Sequence, residues 1–137
     1  MTPVPPTGIL NIGGETPNAG KAGTINAVAV NGMAGHAFIN FNQTDSTEFR
    51  PDITQTGTGT LTVTQSGTGK TILMGNNTYR GNTVIERGTL ALVSTTNNIA
   101  SSGTIIIANG ATFDVSGVTL GFSLAAGQKL LCLPVVV

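Results

Sequence analysis

The sequence predicts an all-β protein, and three observations support this fold class. Charged residues make up 9% of the 137 residues, whereas an average soluble domain has about 25% and places many of them on exposed helix faces. Glycine is frequent, with 19 residues. Short segments of alternating Thr and aliphatic residues lie between Gly, Asn and Ser. Because β-branched residues favour pleated sheets and no segment sustains a helical period, no substantial helix is expected.

The predicted strands are short and follow one another closely. Residues 1–22 are rich in Pro, Gly and Asn and are predicted to be an irregular N-terminal segment with one candidate strand, 9–12. The regular part spans residues 23–130, and residues 131–137 form an atypical apolar tail. Turn-forming residues separate eight further predicted strands: Ile25–Val30, His36–Phe41, Thr60–Thr64, Thr71–Met74, Thr83–Glu86, Thr89–Val93, Thr104–Ala108 and Thr112–Val115.

Internal repeats indicate how these strands are arranged. A unit of Gly, Thr and an aliphatic residue begins at Gly23, Gly59, Gly88 and Gly103, and glycine permits the close backbone approach of a corner. Repeated short strands predict a β-solenoid with coils of about 20 to 25 residues. A β-sandwich with Greek-key connections uses similar strands and is the structural alternative. The solenoid register is predicted from four residues spaced 23 positions apart: Phe38, Leu61, Val84 and Ile107.

The alternation within each strand predicts which side chains form the core. In a strand, successive side chains point to opposite faces, so the aliphatic residues share one face and Thr and Asn share the other. The predicted core consists of Leu61, Val63, Ile72, Val84, Leu90, Leu92, Ile105, Ile107, Phe113 and Val115.

Charge and composition exclude several classes of function. Six Lys and Arg balance six Asp and Glu, so no electrostatic field would gather nucleic acid, and no nucleic-acid partner is expected. The single Cys132 and the single His36 fall short of a zinc site. Asp45, Glu48 and Asp52 lie close together but match no calcium loop, and Arg50 neutralises them. We therefore expect no metal, no cofactor and no catalytic residues.

The ends of the sequence show no membrane-directed segment. The first residues lack the basic and apolar regions of a secretory signal. The apolar residues 130–137 are far fewer than the roughly 20 that span a bilayer, and Pro134 interrupts them. The sequence is therefore expected to carry no signal peptide, membrane anchor or transmembrane segment of its own.

One segment resembles a phosphate-binding loop. Residues 64–71 read TQSGTGKT, in which Lys70 would contact phosphates and Thr71 would hold magnesium. A working loop must run into a helix whose N-terminus faces the anion. Here Gly75 and two asparagines follow after three apolar residues, so no useful helix is expected. Nucleotide binding is therefore an unfavoured alternative to a strand–turn–strand structure.

Interpreted as strands, the same region resembles the autotransporter-associated β-strand repeat, also called the passenger-associated transport repeat, of bacterial type V secreted proteins. The resemblance depends on a Gly-x-Gly start, an Asn-Thr-Tyr-x-Gly centre and a Gly-Thr-Leu end at their usual distances. The motif residues are Gly59, Leu61, Asn77, Thr78, Tyr79, Gly81, Gly88, Thr89 and Leu90. Tyr79 is interpreted as a corner residue, and weaker similarity extends over residues 23–130.

The resemblance implies a fold and a function. The fold is a right-handed parallel β-helix, and the function is a non-catalytic stalk of an autotransporter passenger that supports export and display outside the outer membrane. The implied partners are further coils, a C-terminal β-barrel of the parent protein and the outer-membrane export machinery. The parent would be at the cell surface or extracellular, and this chain would be a fragment of it. A cell-surface adhesin or glycan-binding module is the main alternative, although no aromatic platform is visible in the sequence.

Overall fold

The computed structural model describes residues 6–15 and 18–134, and within these ranges the chain forms strands and no helix. Every strand pairing is parallel. The all-β prediction is therefore confirmed. The strands are β1 (Thr7–Ile12), β2 (Ala29–Gly32), β3 (His36–Phe41), β4 (Ser46–Phe49), β5 (Asp52–Gln55), β6 (Thr60–Gln65), β7 (Lys70–Leu73), β8 (Thr83–Ile85), β9 (Thr89–Ser94), β10 (Thr104–Ile107), β11 (Thr112–Val118) and β12 (Lys129–Cys132).

The strands form three sheets that the chain visits in turn. The first sheet has the order β1-β3-β6-β8-β10-β12, the second β11-β9-β7-β4, and the third β2-β5. Because each strand pairs with its equivalent one coil later, the fold is a parallel β-solenoid and not the alternative sandwich. We number four coils, coil 1 (36–55), coil 2 (60–80), coil 3 (83–102) and coil 4 (104–128), and call the preceding turn the N-terminal coil.

The predicted coil length of about 20 to 25 residues matches most pairings, but Thr7 and His36 pair 29 positions apart, and the predicted fixed register is wrong. His36 pairs with Thr60, 24 positions later, and Val63 pairs with Thr83, 20 positions later. The corners differ in length, so the residues predicted to stack at a constant 23 positions do not. Phe38 pairs with Thr62 and not with its predicted neighbour Leu61.

The core follows the predicted alternation in part. Leu61, Val63, Leu90, Leu92 and Ile105 are buried as predicted, at 1% exposure or less. The remaining predicted core residues are half-buried: Ile72, Val84, Ile107, Phe113 and Val115.

At two strands the predicted face is wrong. In β7 the buried side chains are Thr71 and Leu73, and in β8 they are Thr83 and Ile85. Side chains alternate with a period of two, so a change of one position moves every residue of a strand to the opposite face. Thr71 and Thr83 tolerate burial because their hydroxyls have hydrogen-bond partners inside the core.

Strand boundaries differ most towards the N-terminus and on the second and third sheets. The predicted strand Ile25–Val30 is observed only as Ala29–Gly32, and β4 and β5 were not predicted. β1 lies within residues 1–22 and pairs with β3, while β12 runs past residue 130 to Cys132. Residues 1–5, 16–17 and 135–137 lie outside the described ranges, and the division at residues 22 and 130 stays a prediction. The described part of the chain contains no helix long and apolar enough to cross a membrane.

Candidate functional site: the repeat motif and its corners

The phosphate-loop-like segment forms the corner between β6 and β7. The backbone amides of Gly67 and Gly69 donate to the carbonyl oxygens of Phe41 and Gln43, at 3.0 and 2.9 Å. These amides bind the preceding coil, so they cannot form the cradle that a phosphate needs. The segment continues as strand β7 and not as a helix. Lys70 Nζ lies 3.4 Å from Asp114 Oδ2 on the outer surface.

The glycines of the motif lie where stacked corners approach closely. A Cβ atom on Gly59 would lie 2.1 Å from the carbonyl oxygen of Gly35, and one on Gly81 would lie 2.2 Å from that of Leu61. Gly88 combines a similar contact with a φ of +61°. A side chain at any of these positions would push neighbouring coils apart, since backbone atoms have little room to move.

The centre of the motif is an irregular segment that closes the third face of coil 2. Asn77 is buried, and its Oδ1 accepts a hydrogen bond of 2.9 Å from the backbone N–H of Ile53 in coil 1. The N–H of Thr78 donates to the carbonyl of the same Ile53 at 2.8 Å, while the Thr78 side chain is exposed. The segment therefore continues the stacking of the third face without forming a strand.

The sequence context suggested that Tyr79 is a corner residue. In the structure its side chain lies in the core, with 1% exposure. Its hydroxyl lies 2.7 Å from Thr83 Oγ1, which in turn lies 2.8 Å from Ser102 Oγ. Burial raises the pKa of the phenol, and the hydrogen bonds of Thr83 and Ser102 oppose that rise. Tyr79 is therefore neutral and supplies a polar link between coils 2 and 3.

The three remaining motif residues lie where coils pack on each other. Leu61 and Leu90 belong to the core. The backbone N–H of Thr89 donates to the carbonyl of Gly69 at 3.0 Å, at the same corner as the phosphate-loop-like segment. The geometry therefore brings the motif residues together as corner and core positions and not as a chemical site.

Buried glutamines form hydrogen bonds at the corners from inside the solenoid. They were not identified from the sequence. Gln43 Nε2 donates to Thr71 Oγ1 at 2.7 Å, and Thr71 Oγ1 donates to Gln65 Oε1 at 2.5 Å. Gln65 Nε2 then donates to the carbonyls of Gly67 and Gly69 at 3.1 and 3.3 Å. All three side chains of this chain of bonds are fully buried. It joins coil 1 to coil 2 at the corner between the first and second sheets.

Gln55 fastens the opposite corner. Its Oε1 accepts hydrogen bonds from the backbone N–H groups of Leu61 and Arg80, at 2.9 and 2.8 Å, and its Nε2 donates to the carbonyl of Gly59. One amide group thus holds both the start and the end of coil 2. A sequence signal exists, because Gln55 and Gln65 lie two positions after the buried Ile53 and Val63 and therefore share their inward face.

The acidic residues weighed as candidate ligands are each engaged in structural contacts. Asp45 Oδ1 accepts from the backbone N–H of Ala22 at 3.0 Å, and Asp52 Oδ1 accepts from that of Asn76 at 2.7 Å. Glu48 forms an exposed ion pair with Arg50. Within residues 6–15 and 18–134, no group of three His, Cys, Asp or Glu side chains is placed to hold a metal ion.

Comparisons with known proteins agree with the resemblance predicted from the sequence. Residues 63–92 match the passenger-associated-transport-repeat family. The chain is also similar to the Adhesin BmaC autotransporter of Brucella suis biovar 1 (strain 1330), with 43% identity over 70 residues. No solved structure matches significantly. The chain therefore contains an autotransporter passenger repeat within coils 2 and 3.

The similarity covers parts of both chains. The family match spans residues 63–92, and the matched region of the adhesin covers 50% of this chain but 2% of the adhesin. The chain therefore corresponds to a small part of that relative's length.

Proposed function

We propose that the chain is a structural, non-catalytic segment of an autotransporter passenger, and that its stacked coils support export through the outer membrane and display outside the cell. One observation carries this proposal: the passenger repeat at residues 63–92 lies within a continuous parallel solenoid whose strands pair from coil to coil. Its glycines and core residues lie where the coils stack on each other.

The proposed partners follow from the same role. Further coils of the parent passenger would continue the sheets, and the outer-membrane export machinery would handle the chain in transit. The parent would be at the cell surface or extracellular. A regular stack suits such a segment, because each coil contacts only its neighbours and can be added to a growing solenoid one at a time.

The experiment is a segment exchange in a passenger that is displayed on bacteria. The matching 70-residue region of the Adhesin BmaC autotransporter is replaced by the similar region of this chain, and surface display is measured by protease accessibility on intact cells. We expect display close to that of the parent. A matched variant carries Gly69→Val, whose side chain would meet the Asp45 carbonyl at 2.2 Å from Cβ, and its display is expected to fall.

A second variant separates coil stacking from general damage. Gly103→Ala changes a corner glycine whose Cβ would lie 3.6 Å from its nearest neighbour, so display should be unchanged. Equal display of Gly69→Val and Gly103→Ala would contradict a role for coil folding in export. Failure of the unmodified exchange would contradict the passenger assignment itself.

An adhesive module is the second candidate, and one surface favours it. Ile9 and Phe38 pair across β1 and β3 and are 61% and 37% exposed on the outer face of the first sheet. Neighbouring exposed apolar groups of this kind mark interaction surfaces. Phe38→Ser should lower binding of displayed passenger to host cells without lowering display if this surface is adhesive; unchanged binding would contradict the adhesive role.

A further inference from the structure

The second sheet lacks a strand in the N-terminal coil. The first and third sheets each have one there, since β1 pairs with β3 and β2 pairs with β5. In the second sheet β4 is the last strand. The chain passes β4 as residues 21–28, which form no strand. We call these residues the strap.

The strap is held at both of its ends in the same register. Gly20 forms a parallel bridge with Gln43, and Ala29 pairs with Asp52, an offset of 23 positions in each case. Strap residues 21–28 therefore lie opposite residues 44–51 without an insertion on either side. A strand of matching length could fit beside β4, but the strap does not take that place.

β4 consequently presents unpaired backbone groups towards the strap. The carbonyls of Asp45 and Phe49 accept hydrogen bonds from coil 2 at 3.1 and 3.0 Å. Because alternate residues of a parallel strand bond to opposite neighbours, the N–H and C=O groups of Ser46 and Glu48 point the other way. Among the described residues, no backbone hydrogen bond joins residues 21–27 to Ser46 or Glu48.

A cavity of about 320 Å³ separates the strap from this edge. Strap residues 23–27 line one side, residues 47–51 line the other, and Ile12 forms part of the floor. Its lining includes Thr47, Glu48 and Phe49 of β4. The edge therefore faces the cavity at these three residues.

The hydrophobic pattern of the strap explains why it does not pair with β4 as a strand. Ile25 packs against the core and Val30 in β2 does the same, but they are five positions apart. A regular strand cannot direct both to one face. In the register of the two ends, Asn26 would face the core beside Phe49 and Ile25 would face solvent. The observed strap keeps Ile25 inward and leaves Val28 89% exposed.

We propose that this cavity is a β-augmentation site, in which an extended peptide segment of a partner protein adds to the free edge of β4 as a further strand. An edge of alternating N–H and C=O groups is recognised by another extended backbone, which supplies the complementary groups at the same spacing. Glu48 and Arg50 line the cavity and neutralise each other, and the nearby Asp45 carboxylate is engaged by the Ala22 N–H, so the site suits an uncharged segment. This proposal is independent of the passenger role.

The test is a titration of ¹⁵N-labelled full chain with a short strand peptide, followed by NMR. The probe is an acetylated and amidated copy of residues 59–65, GTLTVTQ, which carries no charge. We expect chemical-shift changes and slower amide exchange at Ser46, Glu48 and strap residues 23–27. The same peptide with every backbone nitrogen methylated has no N–H donor on either edge and should not bind. Equal binding of the methylated peptide, or shifts confined to other sheet edges, would overturn the proposal.

Two protein variants locate the binding groups. Glu48→Pro removes an N–H that points to the cavity and keeps the neighbouring bonds to coil 2, so affinity should fall about tenfold or more. The double substitution Ile25→Asn with Asn26→Ile places the apolar residue on the inward face in the register of the two strap ends. The strap should then pair with β4 itself, and the affinity for the peptide should fall. Slow exchange of Ser46 and Glu48 without peptide would show that the strap already occupies the edge. If Glu48→Pro does not fold, the methylated peptide decides.

Discussion

Gln43 and Thr71 are 28 positions apart in the sequence, yet Gln43 Nε2 donates a 2.7 Å hydrogen bond to Thr71 Oγ1 inside the core. The two residues belong to successive coils, and the bond exists only when the coils stack in the observed register. A buried polar group without a partner costs free energy. The pair therefore stabilises the correct stacking and penalises alternatives in which the corners are displaced.

Thr71→Val should destabilise the protein by about 2–4 kcal/mol, because it removes the main partner of Gln43 Nε2 and the donor to Gln65 Oε1 at once. The free energy of unfolding is measured by urea denaturation. Thr64→Val is the control, since Thr64 is half-buried on the outer face of the neighbouring strand, and its effect should stay within about 0.5 kcal/mol. Equal effects of the two substitutions would contradict a role for the buried bond.

Gly81→Ala and Gly103→Ala form a second matched pair, because the N–H of Gly103 donates to the carbonyl of Gly81 one coil earlier. At Gly81 a Cβ would lie 2.2 Å from the Leu61 carbonyl oxygen, and a loss of about 1–3 kcal/mol is expected. At Gly103 the nearest atom is 3.6 Å away. Replacement there should be neutral or stabilise by up to about 1 kcal/mol through the unfolded state. Thermal unfolding of both variants decides, and a larger loss at Gly103 would contradict the packing argument.

Tyr79 makes stability depend on pH in the alkaline range. Burial is the main cause that raises the pKa of the phenol in the folded state, so the folded protein holds this proton more tightly than the unfolded chain does. The contribution is complete below the unfolded pKa of about 10 and is lost as pH rises above it, with a limiting slope of about 1.4 kcal/mol per pH unit.

Tyr79→Phe is the control for that pH dependence. The substitution should cost about 1 kcal/mol at pH 7, because Thr83 keeps its bond to Ser102. It should also remove the part of the alkaline slope that Tyr79 causes. Denaturant titrations of both proteins between pH 8 and 11 measure this difference. Parallel pH profiles would show that Tyr79 does not cause the alkaline loss of stability.

Local sequence patterns explain what the sequence predicts well. The strand His36–Phe41 was predicted with the observed bounds, because a short run rich in apolar residues lies between Gly35 and Asn42. β4, by contrast, reads Ser-Thr-Glu-Phe, which resembles a charged loop. It is a strand because residues 46–49 pair with β7 in the next coil. Pairing partners far along the chain are not visible in local patterns.

The choice of inward face also depends on neighbours. Both Thr71 and Ile72 are good strand residues, and the sequence favoured Ile72 for the core. The structure buries Thr71, since Gln43 and Gln65 from adjacent strands supply the partners that its hydroxyl needs. For Tyr79, which lies outside any strand, no periodicity applies. Its burial follows from the path of the irregular segment between coils 2 and 3.

Asp114 gives a weaker, acid-range pH dependence. Its pKa is lowered mainly by the side-chain and backbone hydrogen bonds of Ser116, and less by Lys70. A lowered folded pKa contributes stability above the unfolded pKa, and that contribution is lost as pH falls through the folded value. Asp114→Asn should therefore cost a small amount of stability at pH 7 and nothing at low pH.

Two further variants rank the causes of the Asp114 shift. Ser116→Ala should raise the pKa of Asp114 towards its usual value more than Lys70→Met does, because Ser116 provides the larger contribution. The pKa of the carboxyl group is followed by NMR titration of its carbon resonance. A larger effect of Lys70→Met would show that the ion pair dominates.

The C-terminal edge of the first sheet should control association of the isolated chain. All four residues of β12 are exposed, and within residues 6–15 and 18–134 β12 pairs on one side only, with β10. Such edges pair with other chains unless charged side chains block them. We expect the protein to associate as concentration rises and Leu131→Lys, on this edge, to keep it monomeric over a wider range. Leu120→Lys adds the same charge at a residue 76% exposed in a turn and should not. Sedimentation velocity measures both, and equal suppression by the two variants would attribute the effect to net charge and not to the edge.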